Sequence, residues 1–371
     1  MANESNRSFV LKGVESTAFE ERKIPEIGAH DVLVEVKKTG ICGSDIHYLA
    51  HGRIGDFVVK EPMVLGHESA GIVVATGSLV KDLKVGAKVA LEPGRSCTRC
   101  ESCKSGRYQL CPDMIFAATP PYDGTLARYY SLPADLAYEL PANMSLEEGA
   151  LMEPLSVGIH SVSTLGQFHS NQSIAVFGAG PVGLLCMAVA RALGAKRVIG
   201  IDIVKERLAF ATSYAATDVF LPPKPEEGEN KIDYSRRVTD LLAKGLDIEQ
   251  RGPKAIDLVI DASGAEACIR MGIYLVKYGG THIQVGMGSP EIVLPITTLI
   301  AKELRVLGSF RYGPGDYNLA ISLVAQGKID VKSLITHEYP FEKADEAFAT
   351  TRAGKGADGK GVIKAVINGP K

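Results

Sequence analysis

One group of residues in this chain has the types and spacing of metal ligands, and a second, dispersed set has only the types. Cys97, Cys100, Cys103 and Cys111 give C-x2-C-x2-C-x7-C in a polar stretch. Four thiolates this close suit a closed tetrahedral zinc site, which has no open position and therefore holds a loop rather than performing catalysis. Bacterial iron–sulfur runs also use four cysteines, but with a shorter last gap. The second group is dispersed. Cys42 stands in Gly40-Ile41-Cys42-Gly43-Ser44-Asp45-Ile46-His47, His67 and Glu68 in Gly66-His67-Glu68-Ser69, and Glu153 in Glu153-Pro154-Leu155-Ser156. Each alone would pass as an ordinary core or turn residue. Together, one thiolate, one imidazole and one carboxylate would leave zinc formally neutral, with a fourth position open to a substrate oxygen. Whether Glu68 or Glu153 supplies the carboxylate stays open. On a regular strand the adjacent His67 and Glu68 would point to opposite faces, so both reach one metal only if the backbone is irregular there.

A third motif binds phosphate rather than metal. Gly178-Ala179-Gly180-Pro181-Val182-Gly183 fits G-x-G-x-x-G, follows the apolar run Ser173–Phe177 and opens a helix-like run. Gly178 permits the tight turn, Gly180 lets the backbone approach a pyrophosphate, and Gly183 allows close helix–strand packing. Asp202 lies 19 residues beyond Gly183, at the end of the next strand-like run. An acid there accepts a ribose hydroxyl and repels a 2′-phosphate, which selects NAD over NADP. Arg207 could lie over the adenine or reach the ribose.

The elements that must position these residues fall into two patterns. From Phe9 to about Pro154, short strand-like runs such as Asp31–Val36 and Gly71–Ala75 alternate with turn signals, as in a β-rich domain. From about His160, strands at 173–177, 197–202, 255–261 and 281–285 alternate with helices at 183–194 and 205–214, which means βαβ units and a parallel sheet. A polar insert, Pro222 to Pro253, carries a surface helix over 234–244. The chain ends on a strand at 361–367.

Bulk properties agree with a globular chain. It has 371 residues, enough for two domains, with 46% hydrophobic and 23% charged residues. A net charge of −2 gives no field favouring nucleic acid or an anionic membrane. The most apolar stretch, 174–195, is interrupted by glycines, a proline and an arginine, so it reads as strand, turn and helix rather than a membrane span. The N-terminal residues lack a signal-peptide pattern, and a cytoplasmic location is expected. Cys186 and Cys268 fall in helix-like runs and read as inert core residues.

The Cys42 and His67 segments, the four-cysteine lobe and the later glycine turn, in that order, resemble the zinc-containing medium-chain dehydrogenase/reductase superfamily. His47-Tyr48, Phe116-Ala-Ala-Thr-Pro-Pro, Glu153-Pro-Leu-Ser and Phe310-Arg311-Tyr312 resemble its sorbitol/xylitol dehydrogenase branch. The resemblance implies an α/β protein: a GroES-like catalytic domain (1–159 and 300–371, with a zinc lobe at 95–113) and a Rossmann NAD-binding domain (160–299). It implies two zinc ions per subunit, one structural on the four-cysteine lobe and one catalytic on Cys42, His67 and a carboxylate, Glu68 or Glu153, with NAD as cofactor and a homotetramer or dimer. The reaction it implies is polyol oxidation to a ketose, most closely xylitol to D-xylulose, with L-arabinitol or sorbitol as alternatives. Ser44 and His47 would relay the substrate proton, with water beside Glu153 as a rival acceptor. Tyr48, Phe116, Arg311 and Tyr312 would line the substrate pocket. Two other classes compete: a non-catalytic NAD(H)-binding structural or redox-sensing protein, and a nucleic-acid binder using the cysteines as a finger. The first has no need of the Cys42–His67–carboxylate set, and the second lacks a basic recognition helix.

Overall fold

A computed structural model describes residues 5–371. Residues through Glu153 together with Gly313–Lys371 form one compact unit, and Pro154–Tyr312 form the other. Return to the first unit comes at Gly313 rather than near residue 300. The reason is that Arg305–Gly308 adds a last parallel strand to the second unit's sheet, beside Thr281–Gln284.

The first unit is built on a seven-stranded sheet. Its order is Ala137–Glu139, Lys88–Leu91, Glu68–Thr76, Asp31–Gly40, Lys364–Asn368 and Ile335–Tyr339, with Tyr129–Pro133 also pairing to Asp31–Gly40. Asp31–Gly40 buries Val32, Val34 and Val36 on one face, as a period of two requires. Lys364–Asn368 runs antiparallel to Asp31–Gly40, so the end of the chain is stitched into the sheet made by its beginning. A second layer completes the join. Phe9 stacks within 5.3 Å of both Phe19 and Phe348, and Phe19 lies 5.3 Å from Phe341. The strand expected from 361 begins only at Lys364, because Gly354 and Gly359, both at positive φ, turn the preceding segment into a loop.

The second unit is a six-stranded parallel sheet in the order Asp218–Phe220, Arg197–Ile201, Ser173–Phe177, Leu258–Asp261, Thr281–Gln284 and Arg305–Gly308. Ser173–Phe177 is central, with its sequence successor on one side and Leu258–Asp261 on the other. That reversal of order is the switch point at which doubly wound sheets bind dinucleotides. The third expected strand is shorter than 255–261, since Ala255 makes only an isolated bridge to Glu249. The helix after the glycine turn starts at Pro181, whose fixed φ suits a first helical position.

The insert helix spans Lys231–Gly245, and Asn230 caps it by accepting the N–H groups of Ile232 and Asp233. It is more than a surface helix. Val238 and Leu242 enter the core, and buried Arg270 ties it to the next helix through Ser235 and the carbonyl of Lys231. Among the described residues no helix is long and apolar enough to cross a membrane.

Phe348 is 1% exposed and links the C-terminal segment to Phe9. Phe348→Ala should cost about 3–5 kcal/mol in the first unit. Calorimetry should show that unit's transition falling while the second unit's transition stays in place.

Candidate functional site

Three ligand atoms meet in the first unit. One each from Cys42, His67 and Glu68 lie within 4.8 Å of one another. The backbone irregularity that adjacent ligands need is present. The strand begins at Glu68, and Gly66 just before it has φ +88, so His67 lies outside the regular pleat. A side chain at Gly66 would press on Leu126 and Thr39, which fixes the turn's place. Glu68 faces Gly40 across the ladder, and a Cβ at Gly40 would overlap the Glu68 carboxylate.

Asp45 joins the two ligand-bearing segments. Fully buried, it accepts the N–H of Cys42 at 3.1 Å and of Gly66 at 3.0 Å, and lies 3.5 Å from His67 Nδ1. Burial works against its charge. The facing His67 and the two backbone donors outweigh burial and hold its carboxyl below the ordinary range. A carboxylate on Nδ1 orients the imidazole and leaves Nε2 as the nitrogen for a metal.

Lys364 is the second unforeseen member. Its Nζ, 3% exposed at residue level, donates to both Glu68 oxygens at 2.7 Å and to the Ile41 carbonyl at 3.1 Å. Burial favours the neutral amine, but the charges of Glu68, Cys42 and Glu153 raise its pKa above the usual lysine value. Glu153 itself is 5% exposed, in the first turn of Met152–Ile159. It is not one of the three clustered ligands, yet its charge reaches the same lysine. With Cys42 as thiolate, the anions Cys42, Asp45, Glu68 and Glu153 outnumber the one lysine cation, an excess of negative charge that a divalent cation lowers. The donor set therefore fits zinc.

The other expected residues lie on several elements of the two units. Ser44 is half-buried and His47 exposed on the helix Gly43–His51. Tyr48, on the same helix, packs into the core with Phe9, Ile41 and Leu65. Phe116 is buried with its ring 6.0 Å from that of His67. Arg311, at φ +56, stacks its guanidinium 4.6 Å from the Phe310 ring centroid; it and buried Tyr312 close the second unit.

The four-cysteine lobe is also compact. The Cys97, Cys100, Cys103 and Cys111 sulfurs lie within 4.8 Å of one another, all as free thiols. Backbone N–H groups of Cys97, Cys100 and Cys103 point at sulfurs of Cys111, Cys97 and Cys100. Donors from Arg99 and Cys100 bring the Cys97 thiol down to about 7. Polar donors aimed at sulfur favour thiolate, which is what zinc requires. At the lobe's base Gly94–Arg95 pairs with Ile115–Phe116, so the lobe also places Phe116. Its anchor is Glu92, 1% exposed, which accepts the Tyr108 hydroxyl at 2.6 Å and the Tyr138 hydroxyl at 2.8 Å. The remaining cysteines are unremarkable: Cys186 is fully buried in a helix and Cys268 packs partly buried against the core.

In the second unit the three motif glycines meet different needs. Gly178 has φ +94, Gly180 faces open space, and a Cβ at Gly183 would overlap the Gly178 carbonyl. Gly180 caps the helix Pro181–Ala192, whose first N–H groups favour phosphate. Asp202 accepts the Ala179 N–H at 2.7 Å and the Val204 N–H at 2.8 Å, with Arg207 4.0 Å away. It therefore braces the turn. Asp261, fully buried, does the same for the neighbouring loops. Its carboxylate accepts the N–H groups of Ser263 and Gly264 and the Gln284 amide, and its carbonyl accepts those of Val285 and Gly286. Ala262–Ser263 in turn lies close against Gly178, and Gly264 lies against Gly286 and Gly288 closer than any side chain would allow.

Comparison with known proteins agrees with this architecture. Residues 28–142 match the alcohol dehydrogenase GroES-like domain, residues 181–326 match the zinc-binding dehydrogenase domain, and the chain belongs to the zinc-binding dehydrogenase family. Within that family it is 55% identical to "D-xylulose reductase A" of Aspergillus niger, over 99% of this chain and 98% of that one. Two solved Escherichia coli structures share the fold. L-idonate 5-dehydrogenase has TM-score 0.85 at 28% identity, covering 98% of each chain. An alcohol dehydrogenase solved with NADH has TM-score 0.84 at 26% identity, covering 98% of this chain and 100% of that one.

Two outcomes follow. Burial raises the Glu92 carboxyl from 4.5 to about 7, against the lowering effect of the two phenols. An unfolded chain ionises Glu92 first, so stability should fall between about pH 4.5 and 7, by on the order of 3 kcal/mol, and level off above. Thermal melts should show this slope in the parent and its absence in Glu92→Gln. Asp261→Ala should weaken NADH binding by about tenfold or more in fluorescence titrations, with zinc content unchanged. Asp261→Asn, which keeps an acceptor for Ser263 and Gly264, should recover most of it; equal affinity in all three proteins would rule out this bracing role.

Proposed function

We propose that this chain is an NAD-dependent polyol dehydrogenase that oxidises xylitol to D-xylulose and, with NADH, catalyses the reverse. One observation carries the reading: a cysteine, a histidine and a glutamate with ligand atoms within 4.8 Å of one another, in a chain 55% identical to a D-xylulose reductase across nearly its whole length. Bound zinc would lend Lewis acidity to the substrate oxygen, and bound NAD would accept the hydride from the adjacent carbon. Cys42, His67 and Glu68 would hold the catalytic ion, with Glu153 buried nearby as a charge and a water-binding carboxylate. Cys97, Cys100, Cys103 and Cys111 would hold the structural ion. Gly178, Gly180, Pro181, Val182 and Gly183 would cradle the pyrophosphate, with Asp202 and Arg207 at the adenosine end.

Protein groups then manage the proton. Ser44 and His47 are three residues apart on one helix, half-buried and exposed respectively, a sequence that leads a hydroxyl proton outward. Phe116 and Tyr48 would wall the carbon chain, and Arg311 and Tyr312 would bind hydroxyls. We also infer a homo-oligomer, a tetramer or dimer. Supporting it, the edge strand Arg305–Gly308 and the preceding segment expose Val293, Ile296, Ile300 and Val306 together, the kind of apolar edge that a second copy covers.

The test is one preparation measured three ways: zinc per chain, sedimentation, and NAD or NADP reduction on xylitol, sorbitol and L-arabinitol. Two zinc ions, an oligomer, and NAD reduction fastest on xylitol are expected. Full zinc loading with no turnover on any polyol would overturn the substrate class; a faster rate on another polyol would overturn xylitol alone.

A further inference from the structure

The helix Gly43–His51 pairs His47, a member of the proposed proton path, with His51, which that path does not use. His47 and His51 are both exposed, one helical turn apart. Their ring centroids are 5.2 Å apart, with the planes inclined at 55°. Among the described residues neither imidazole hydrogen-bonds or pairs with another group, and the ring contact is what they share. Three of the chain's other histidines are engaged elsewhere. His67 is held by Asp45, His337 contacts Thr336 and Asp358, and His282 is buried beside Gln284.

Two imidazoles at i and i+4 stand on one helix face and can converge on one ion. With a metal–nitrogen distance of about 2.0–2.1 Å, ring centroids lie about 3.2 Å from the ion, so a tetrahedral pair has centroids about 5.2 Å apart. The observed 5.2 Å equals the tetrahedral value; the right-angle geometry of copper or nickel needs about 4.5 Å, a difference that side-chain rotation can supply. We propose that His47 and His51 form a third metal site, a surface chelate for late divalent transition ions, completed by water. Imidazole prefers copper and nickel to zinc in the divalent series. With two protein ligands and open water positions, the chelate is weak and reversible compared with the two cysteine-containing groups.

Occupancy has a consequence for turnover. An ion on His47 takes the lone pair that would accept a proton arriving from Ser44. Excess nickel or zinc should therefore slow polyol oxidation without displacing zinc from the cysteine groups. The binding stands apart from the assigned reaction; the inhibition rests on it.

The experiment titrates zinc-loaded enzyme with Ni2+ by calorimetry, tracking zinc content throughout. The parent should bind one Ni2+ per chain, and both His51→Ala and His51→Gln should bind it about tenfold or more weakly. Both variants should keep the parent's melting temperature and its turnover without added metal, and lose sensitivity to excess Ni2+. Equal Ni2+ affinity in parent and variants, or no nickel bound, overturns the site. Nickel binding lost in the variants but without effect on parent turnover confirms the site and removes His47 from the proton path.

Discussion

Buried charge at the first unit's metal group is the constraint on which the rest depends. Glu68 is 1% exposed and Asp45 fully buried, and neither anion could remain there unpaired. Each is answered by a partner from a distant part of the chain. Lys364 reaches Glu68 across 296 residues, and Asp45 bridges to Gly66 across 21. The strand Lys364–Asn368 must therefore lie beside Asp31–Gly40, which explains why the chain leaves for a second unit and then returns. The return is a requirement of charge compensation as well as of apolar packing through Phe341 and Phe348.

The second unit solves a different problem, close approach of backbone to a ligand. Its glycines are not interchangeable with small side chains. Gly183 admits the helix to the turn, and Gly264, Gly286 and Gly288 let two neighbouring loops touch. Such contacts leave little tolerance, and two buried carboxylates supply the fixing. Asp202 ties the phosphate turn to the following segment, and Asp261 ties together the loops after the next two strands. Both units thus use the same device, a buried acid bonded to backbone N–H groups of two segments, to hold a site rigid before anything binds.

How much of this was legible in the sequence follows from where each residue's partner lies. The four-cysteine lobe announces itself by residue type and short spacing, and Cys42 and His67 only by the motifs around them that resemble a known family. The glycine turn and Asp202 do so by position relative to strands that periodicity reveals. Lys364, Asp45, Asp261 and Glu92 gave no such sign, because each acts through a partner set by tertiary structure. A trace existed for two of them. Lys364 is a lone charge in the apolar run Gly361–Ile367, and Asp261 an acid ending a run of Leu, Val and Ile. A charge at a buried strand position asks for a partner, but the sequence does not say which. The extra strand Arg305–Gly308 was missed for a related reason: an exposed edge strand lacks the apolar signature of a central one.

The choice between Glu68 and Glu153 turns on the same electrostatics. Glu68 sits with Cys42 and His67, yet both its oxygens are already engaged by Lys364. An ion entering the group competes with the ammonium for that carboxylate. Glu153 matters here, since its charge also acts on Lys364. A lysine facing two acids loses less when one of them turns to a metal than a lysine facing one. In the proposed ligand set, the second carboxylate would lower the cost of Glu68 becoming a ligand. Two buried acids at one site would then divide the work: one would supply the donor atom, and the other would keep the counter-charge in place when the donor is taken.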